Sequence, residues 1–206
     1  MNEPTVFIID DDPSARNGLT NVVQAAGINV ESFASAKDFI DSKRIEGPGC
    51  IVLDVKMPEV TGPELQEMLI QTDYCMPIIF LSAYGDVPTT ANVIKKGAVD
   101  FLTKPVDRDV LLEAIRYSIT KDAENRLQKE KNFSISKRIK TLTPREYEIM
   151  TYVISGLLNK QIAGRLSISE ETVKIHRGRV MHKLGIVSIT ELVRLCEKVG
   201  ISPVKS

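Results

Sequence analysis

Three aspartates stand in a row in Phe7-Ile8-Ile9-Asp10-Asp11-Asp12-Pro13, directly after an apolar run, where mutual repulsion and desolvation are both unfavourable. Acidic residues are common in the turn after a strand and favour the first turn of a following helix, so these residues alone leave that bland reading open. Three more polar residues close or follow apolar runs: Asp54 ends Cys50-Ile51-Val52-Leu53-Asp54, Ser82 ends Pro77-Ile78-Ile79-Phe80-Leu81-Ser82, and Lys104 follows Val99-Asp100-Phe101-Leu102-Thr103. Asp10, Asp11 and Asp54 offer an oxygen-rich site that suits a hard cation such as Mg2+, which keeps several waters and takes few protein carboxylates. A cation that also clamps a phosphoryl group lets an aspartate act as nucleophile and form an acyl phosphate. Lys104 then supplies a second positive charge and Ser82 a hydrogen-bond donor. Each residue is a weak signal, because a lone Asp, Ser or Lys after a strand usually caps a helix or faces water. Their ordered recurrence at the ends of successive apolar runs is the stronger observation.

Such convergence requires a particular scaffold. From Thr5 to about Ile119, short β-branched runs (TVFII, INVESF, CIVLD, PIIFLS, VDFLT) alternate with amphipathic segments. This is a (βα)5 pattern, and the near-continuous apolar strands predict a parallel sheet covered by helices on both faces, an α/β flavodoxin-like fold. Ligands sit at the carboxyl ends of strands in such sheets, which brings Asp10, Asp11, Asp54, Ser82 and Lys104 to one edge. Leu111, Leu112, Ile115, Ile119 and Ala123 form an apolar stripe, and neither Gly nor Pro interrupts residues 107–131, so the last helix is expected to run on as a linker. The stretch Asn132–Lys140 loses periodicity and turns basic, which marks a boundary. Four helix-like segments follow. Thr143-Pro-Arg-Glu146 reads as a capping box, Asn159 and Ser169 as N-caps, and Ser188 opens the last segment. The expected organisation is a domain over 1–121, an extended helical linker over 122–139, and an all-α four-helix domain over 140–206.

With 206 residues and 43% hydrophobic content, the chain suits two small domains with real cores. Its zero net charge hides an asymmetry: residues 1–120 carry 10 Lys and Arg against 18 Asp and Glu, and residues 121–206 carry 17 against 9. An acidic half able to hold a cation is thus joined to a basic half able to meet phosphates. No apolar run approaches membrane-spanning length and the N-terminus lacks a signal-peptide profile, so the expected location is the cytoplasm, without a membrane partner. Cys50, Cys75 and Cys196 form no C-x-x-C pair and read as reduced, buried thiols.

Through Phe7-Ile-Ile-Asp-Asp-Asp, Asp54-Val-Lys-Met-Pro-Glu, Leu81-Ser-Ala and Lys104-Pro105, residues 4–120 resemble the response-regulator receiver domains. The resemblance implies that Asp54 is the phosphoacceptor and that Asp10, Asp11, Asp54 and the backbone carbonyl of Lys56 hold Mg2+. It further implies that Ser82 and Lys104 contact the phosphoryl group, that Phe101 is an aromatic switch, and that the Lys104–Pro105 peptide is cis. The six-residue step from Asp10 to Arg16 supports this register and leaves Asp12 outside the pocket. Glu59 stands where the family usually has Gly, and Ser82 replaces the commoner Thr; neither change removes a needed functional group. Lys56 and Tyr84 occupy positions that tune phosphoryl lifetime in the family. Beyond catalysing phosphoryl transfer to and hydrolysis from Asp54, no enzymatic role is implied.

In the basic half, His176 and His182 lie six residues apart, a spacing that does not suit metal ligation from one helical face. Ile162, Ala163, Leu166, Val173, Val180 and Leu184 can face a core, while a short helix, a tight Leu-Ser-Ile-Ser turn and a cationic second helix make a helix-turn-helix. Through Leu142-Thr-Pro-Arg-Glu146, Gly156-Leu-Leu-Asn-Lys-Gln-Ile-Ala163, Thr172-Val-Lys-Ile-His176 and Lys183-Leu-Gly, residues 140–200 resemble the LuxR/NarL-type DNA-binding domains. That resemblance places Lys174, Ile175 and Gly178 near base edges, and Lys160, Thr172, His176 and Arg177 near phosphates.

Together the two resemblances imply a phosphorylation-controlled transcription factor of the FixJ/NarL type. A sensor histidine kinase, double-stranded DNA and a second copy of the phosphorylated chain are the implied partners, with RNA polymerase a further candidate. A rival reading, an aspartyl-phosphate phosphatase, needs a general-acid carboxylate two residues beyond the nucleophile, where this chain has Lys56. A third makes the basic half a protein-interaction module, which salt-dependent DNA binding would distinguish.

Overall fold

The computed structural model describes residues 3–42, 47–72, 76–83 and 87–204, so Cys75 and Tyr84 lie outside the described residues. The chain forms two compact units, Met1–Arg126 and Leu127–Ser206. Among the described residues no helix is long and apolar enough to cross a membrane.

In the first unit, strands β1 (Thr5–Ile9), β2 (Asn29–Phe33), β3 (Gly49–Asp54), β4 (Ile78–Ser82) and β5 (Asp100–Thr103) alternate with helices α1 (Pro13–Ala25), α2 (Ala36–Asp41), α3 (Gly62–Ile70), α4 (Val87–Lys95) and α5 (Arg108–Ile139). The sheet is parallel in the order β2-β1-β3-β4-β5. Alternation along the strands splits the core: Phe7, Ile9, Ile51, Leu53 and Phe80 pack with Phe39, Leu65 and Val93, while Val6, Ile8, Val52, Ile79 and Leu81 pack with Leu19, Val23, Leu111 and Ile115. Both faces of β1, β3 and β4 are therefore buried, as the continuous apolar runs require. β2 departs from this: it is an edge strand whose Glu31 and Ser32 face solvent.

Leu111, Leu112 and Ile115 of the expected α5 stripe are buried, but Ala123 is exposed. The anchor in that stretch is polar. Asp122 is buried, and its Oδ2 accepts hydrogen bonds from the Gly49 N–H at 3.0 Å and Arg126 Nε at 2.7 Å. At Gly49 a Cβ would stand 2.3 Å from the Thr5 carbonyl oxygen, so only glycine allows this approach.

The second unit contains α6 (Pro144–Ile154), α7 (Asn159–Leu166), α8 (Glu170–Leu184) and α9 (Ile189–Lys198). Asn132–Ile139, read from sequence as aperiodic, is the last part of α5, and Ile135 and Ile139 are buried in this unit's core beside Ile149, Ile162, Val173 and Leu184. The Thr143/Glu146 capping box is formed, and Ser169 and Ser188 cap α8 and α9. Asn159 is not an N-cap. It is the first residue of α7, and the Gln161 side chain instead accepts from the Leu158 N–H at 2.8 Å. The tight turn between α7 and α8 puts Ser167 at φ 51°, the left-handed region, before Ser169 starts the next helix.

Candidate functional site

Asp10, Asp54, Ser82 and Lys104 reach the carboxyl edge of the sheet because β1, β3, β4 and β5 run parallel and end together. Lys104 is positioned by its own backbone, since its N–H donates to the Ser82 carbonyl at 2.8 Å, and the Lys104–Pro105 peptide is cis. Its Nζ lies 2.7 Å from Asp10 Oδ2 and 2.5 Å from Asp54 Oδ1. Two buried carboxylates thus share one ammonium. Their other oxygens are also held: Asp10 Oδ1 accepts from the Asp12 N–H at 3.0 Å and Asp54 Oδ2 from the Lys56 N–H at 2.7 Å.

The electrostatics follow from burial and pairing. Desolvation lifts the Asp54 carboxyl above its usual value, outweighing the hydrogen bond and charge of Lys104 and the Lys56 N–H, which pull it down. Desolvation also works to lower Lys104, but its bonds to Asp10 and Asp54 and their charges prevail and hold the ammonium above its usual value.

Asp11 is exposed beside this pair. Asp12 caps α1, accepting from the Ser14 N–H at 2.9 Å, and so has the bland role that acids after a strand often have. Arg16 Nη1 donates to the Asp10 carbonyl at 2.6 Å, which fixes the loop after β1 and explains the six-residue step. Among the described residues, no group of three His, Cys, Asp or Glu side chains is gathered to hold a metal ion. The donors Asp10 Oδ2 and Asp54 Oδ1 are nonetheless hard anionic oxygens facing a common positive charge, the chemistry that Mg2+ takes. Ser82 is buried, Phe101 on β5 is half-buried against the core, and Lys56 is exposed.

Two backbone features of the edge carry further information. Glu59, at the family's glycine position, adopts φ 62°. Gly62 begins α3 where a Cβ would stand 2.3 Å from the Asp54 carbonyl oxygen, so a close approach of α3 to the end of β3 depends on glycine. Sequence spacing gave no sign of this second requirement.

In the second unit, Lys174, Ile175 and Gly178 are exposed along α8, and Lys160 is exposed on α7. Lys174 pairs with Glu171 at 3.3 Å, a surface contact that leaves the ammonium available. Thr172 is drawn into the helix start, with its N–H donating to Ser169 Oγ at 3.1 Å. Arg177 is half-buried and its guanidinium donates to Asn159 Oδ1, so it joins α8 to α7. His176 is half-buried with Nδ1 enclosed, and His182 is exposed. Among the described residues, nothing outside its chain neighbours and the backbone of α8 itself lies within 4 Å of a Cβ built at Gly178, so packing does not require glycine there. Cys50 and Cys196 are free and buried; burial and the Asp122 charge push the Cys50 thiol up to about 12, and burial pushes Cys196 up to about 11, so both are inert.

Comparison with known proteins agrees with both halves. Residues 6–116 match the response regulator receiver domain, and residues 140–196 match the bacterial regulatory proteins of the luxR family. Nodulation protein W of Bradyrhizobium diazoefficiens is 39% identical over 197 residues, covering 96% of this chain and 87% of that protein. The transcriptional regulatory protein FixJ of Azorhizobium caulinodans is 37% identical, covering 96% and 94%. The solved structure of the response regulator StyR superposes with a TM-score of 0.81 at 44% identity, covering 96% of this chain and all of that one. With a receiver fold ending in an Asp–Lys–Asp cluster, a helix-turn-helix unit, and relatives matched along nearly their whole length, the chain belongs to the two-component response regulators of the FixJ/LuxR type, phosphorylation-dependent transcriptional regulators.

Proposed function

We propose that Asp54 accepts a phosphoryl group from a sensor histidine kinase and that this event promotes dimerisation and sequence-specific DNA binding in the cytoplasm. The observation that carries the reading is the Lys104 ammonium bridging Asp10 and Asp54 at the strand ends. An Asp54 carboxylate oxygen attacks phosphorus, the bond to the donor imidazole breaks, and an acyl phosphate remains. Lys104 lies within reach of phosphoryl oxygens attached there, and the Ser82 hydroxyl meets them from the end of β4. Asp10, Asp11, Asp54 and the Lys56 carbonyl are the groups that would hold Mg2+, which supplies neutralisation of phosphoryl charge when bound. Phe101, half-buried on β5, follows Ser82 inward and alters the face beside it, which favours a second copy. Reversal is hydrolysis of the same bond, for which the receiver's own residues suffice.

On α8, Lys174, Ile175 and Gly178 meet base edges, while Lys160, Thr172, His176 and Arg177 lie toward phosphates. Paired helix-turn-helix units then gain affinity for paired half-sites. RNA polymerase is the downstream partner where the output is activation.

The test combines Mg2+, a small phosphodonor and Asp54→Asn. Labelling of the unsubstituted chain that is lost in the variant is expected, as is a rise in mass and in DNA affinity with beryllofluoride. Undiminished labelling of Asp54→Asn refutes the phosphoacceptor, and unchanged mass and affinity refute the switch while leaving the family assignment intact.

A further inference from the structure

The end of α5 is tied to the end of α8 within the second unit. Arg138 Nη1 donates to the Leu184 carbonyl at 2.5 Å, one of the last carbonyls of α8 that have no partner within the helix. In the other direction, Lys183 Nζ donates to the Thr141 carbonyl at 3.2 Å, just past the end of α5, and to Glu146 Oε2 at 2.6 Å. The Arg138 carbonyl in turn accepts from the Thr141 N–H at 3.0 Å and hydroxyl at 2.7 Å, so the turn that receives Lys183 is built on Arg138. Ile135 and Ile139, on either side of Arg138, are buried in the same core as Val173, Val180 and Leu184 of α8.

Two details show that this contact is specified. Among the described residues Arg138 Nε is buried with no hydrogen-bond partner, so the guanidinium is enclosed where it meets Leu184. Gly185 ends α8 at φ +63°, and a Cβ there would stand 3.3 Å from Arg138 Nη1, so the residue suits both the left-handed cap and the room Arg138 occupies. The positive charge also lies at the negative end of the α8 dipole.

We propose that Arg138 is a positioning residue for DNA reading: by holding the C-terminal end of α8 it sets the pose in which Lys174, Ile175 and Gly178 are presented, so that reading depends on the last turn of α5 being docked. The inference rests on the DNA-contact reading above. It makes residues 135–139 a control point, since fraying of that turn withdraws Arg138, Ile135 and Ile139 from α8 together. Arg138 itself touches no DNA in this scheme.

The experiment uses the full chain and a duplex that the unsubstituted protein selects from a random-sequence pool, with a scrambled duplex alongside. Arg138→Met is expected to lower affinity for the selected duplex about tenfold, leave the scrambled duplex unchanged, and leave the salt slope unchanged. Arg138→Lys, which keeps charge and one donor, should fall between, and Lys137→Met, which removes an exposed neighbouring charge, should keep the original ratio. A folding defect alone lowers both duplexes together, so the selected-to-scrambled ratio isolates positioning. An unchanged ratio in Arg138→Met overturns the proposal, as does an equal loss on both duplexes with a salt slope smaller by about one, the mark of a phosphate contact. Should Arg138→Met not fold, Arg138→Lys decides: a reduced ratio supports the proposal and a full ratio overturns it. Failure of the unsubstituted chain to select any duplex removes the DNA-contact reading itself, and this inference with it.

Discussion

At the residue scale, the cluster at the sheet edge is balanced by a single charge. Removing it in Lys104→Met leaves Asp10 and Asp54 facing each other without the ammonium, and a cost of roughly 1–3 kcal/mol is expected in urea melts without metal. Mg2+ should restore more stability to that variant than it adds to the unsubstituted chain, because the cation then has no ammonium to compete with. Equal Mg2+ responses would show that the metal does not meet these carboxylates. Glu59 offers a separate test. A non-glycine residue at φ 62° is strained, and Glu59→Gly relieves that strain while adding freedom to the unfolded chain, so a net gain of roughly 0.5–1 kcal/mol is expected. A loss of stability would show that the Glu59 side chain makes a compensating contact.

At the element scale, the start of α6 joins a capping box to an ion pair with α8. Thr143 and Glu146 close its capping box, and the Glu146 carboxylate, buried, also receives Lys183 from α8. The Lys183 hydrogen bond, then the Thr143 N–H, hold the Glu146 carboxyl below its ordinary value of 4.5. A carboxyl lowered on folding contributes stability that is fully present above its unfolded-state value and is lost as pH falls through the folded one. Glu146→Gln should therefore destabilise the second unit at neutral pH, with the difference from the unsubstituted chain shrinking once pH drops below 4.5. Chemical denaturation followed by helical circular dichroism at several pH values measures it. A difference that stays constant into acid would assign the effect to shape rather than charge.

At the scale of the whole molecule, α5 belongs to both units, and its interior residues decide where each can be cut. Asp122 accepts from the Gly49 N–H, so a fragment ending at residue 121 leaves that buried donor unpaired. It should be less stable than one ending at Arg126 by roughly 1–3 kcal/mol. A fragment of 140–206 similarly lacks Ile135 and Ile139, and should lose roughly 2–5 kcal/mol against 127–206. Thermal or urea unfolding of the four fragments checks both expectations. Equal stabilities within each pair would show that the α5 contacts add nothing to either unit.

What the sequence determined by itself was whatever periodicity and local chemistry encode. β1, β3 and β4 were legible because burial on both faces demands unbroken apolar runs, and parallel strands with Asp10, Asp54, Ser82 and Lys104 at their ends have one edge on which to place them. The Thr143 and Ser169 caps were legible because capping is a matter of three or four neighbouring residues. Tertiary structure alone decided the rest. Asn159 became the first residue of α7 and a partner for Arg177, 18 positions away, instead of a cap. Asn132–Ile139 became helix because two isoleucines, too few to show a period, found a core to fill. Asp122, Gly62 and Arg138 acquired their roles from backbone groups of distant segments, 73, 8 and 46 residues away. No sequence pattern encodes such a contact, because a carbonyl is offered by every residue type and an N–H by every type except proline, and only the fold selects which one a side chain meets.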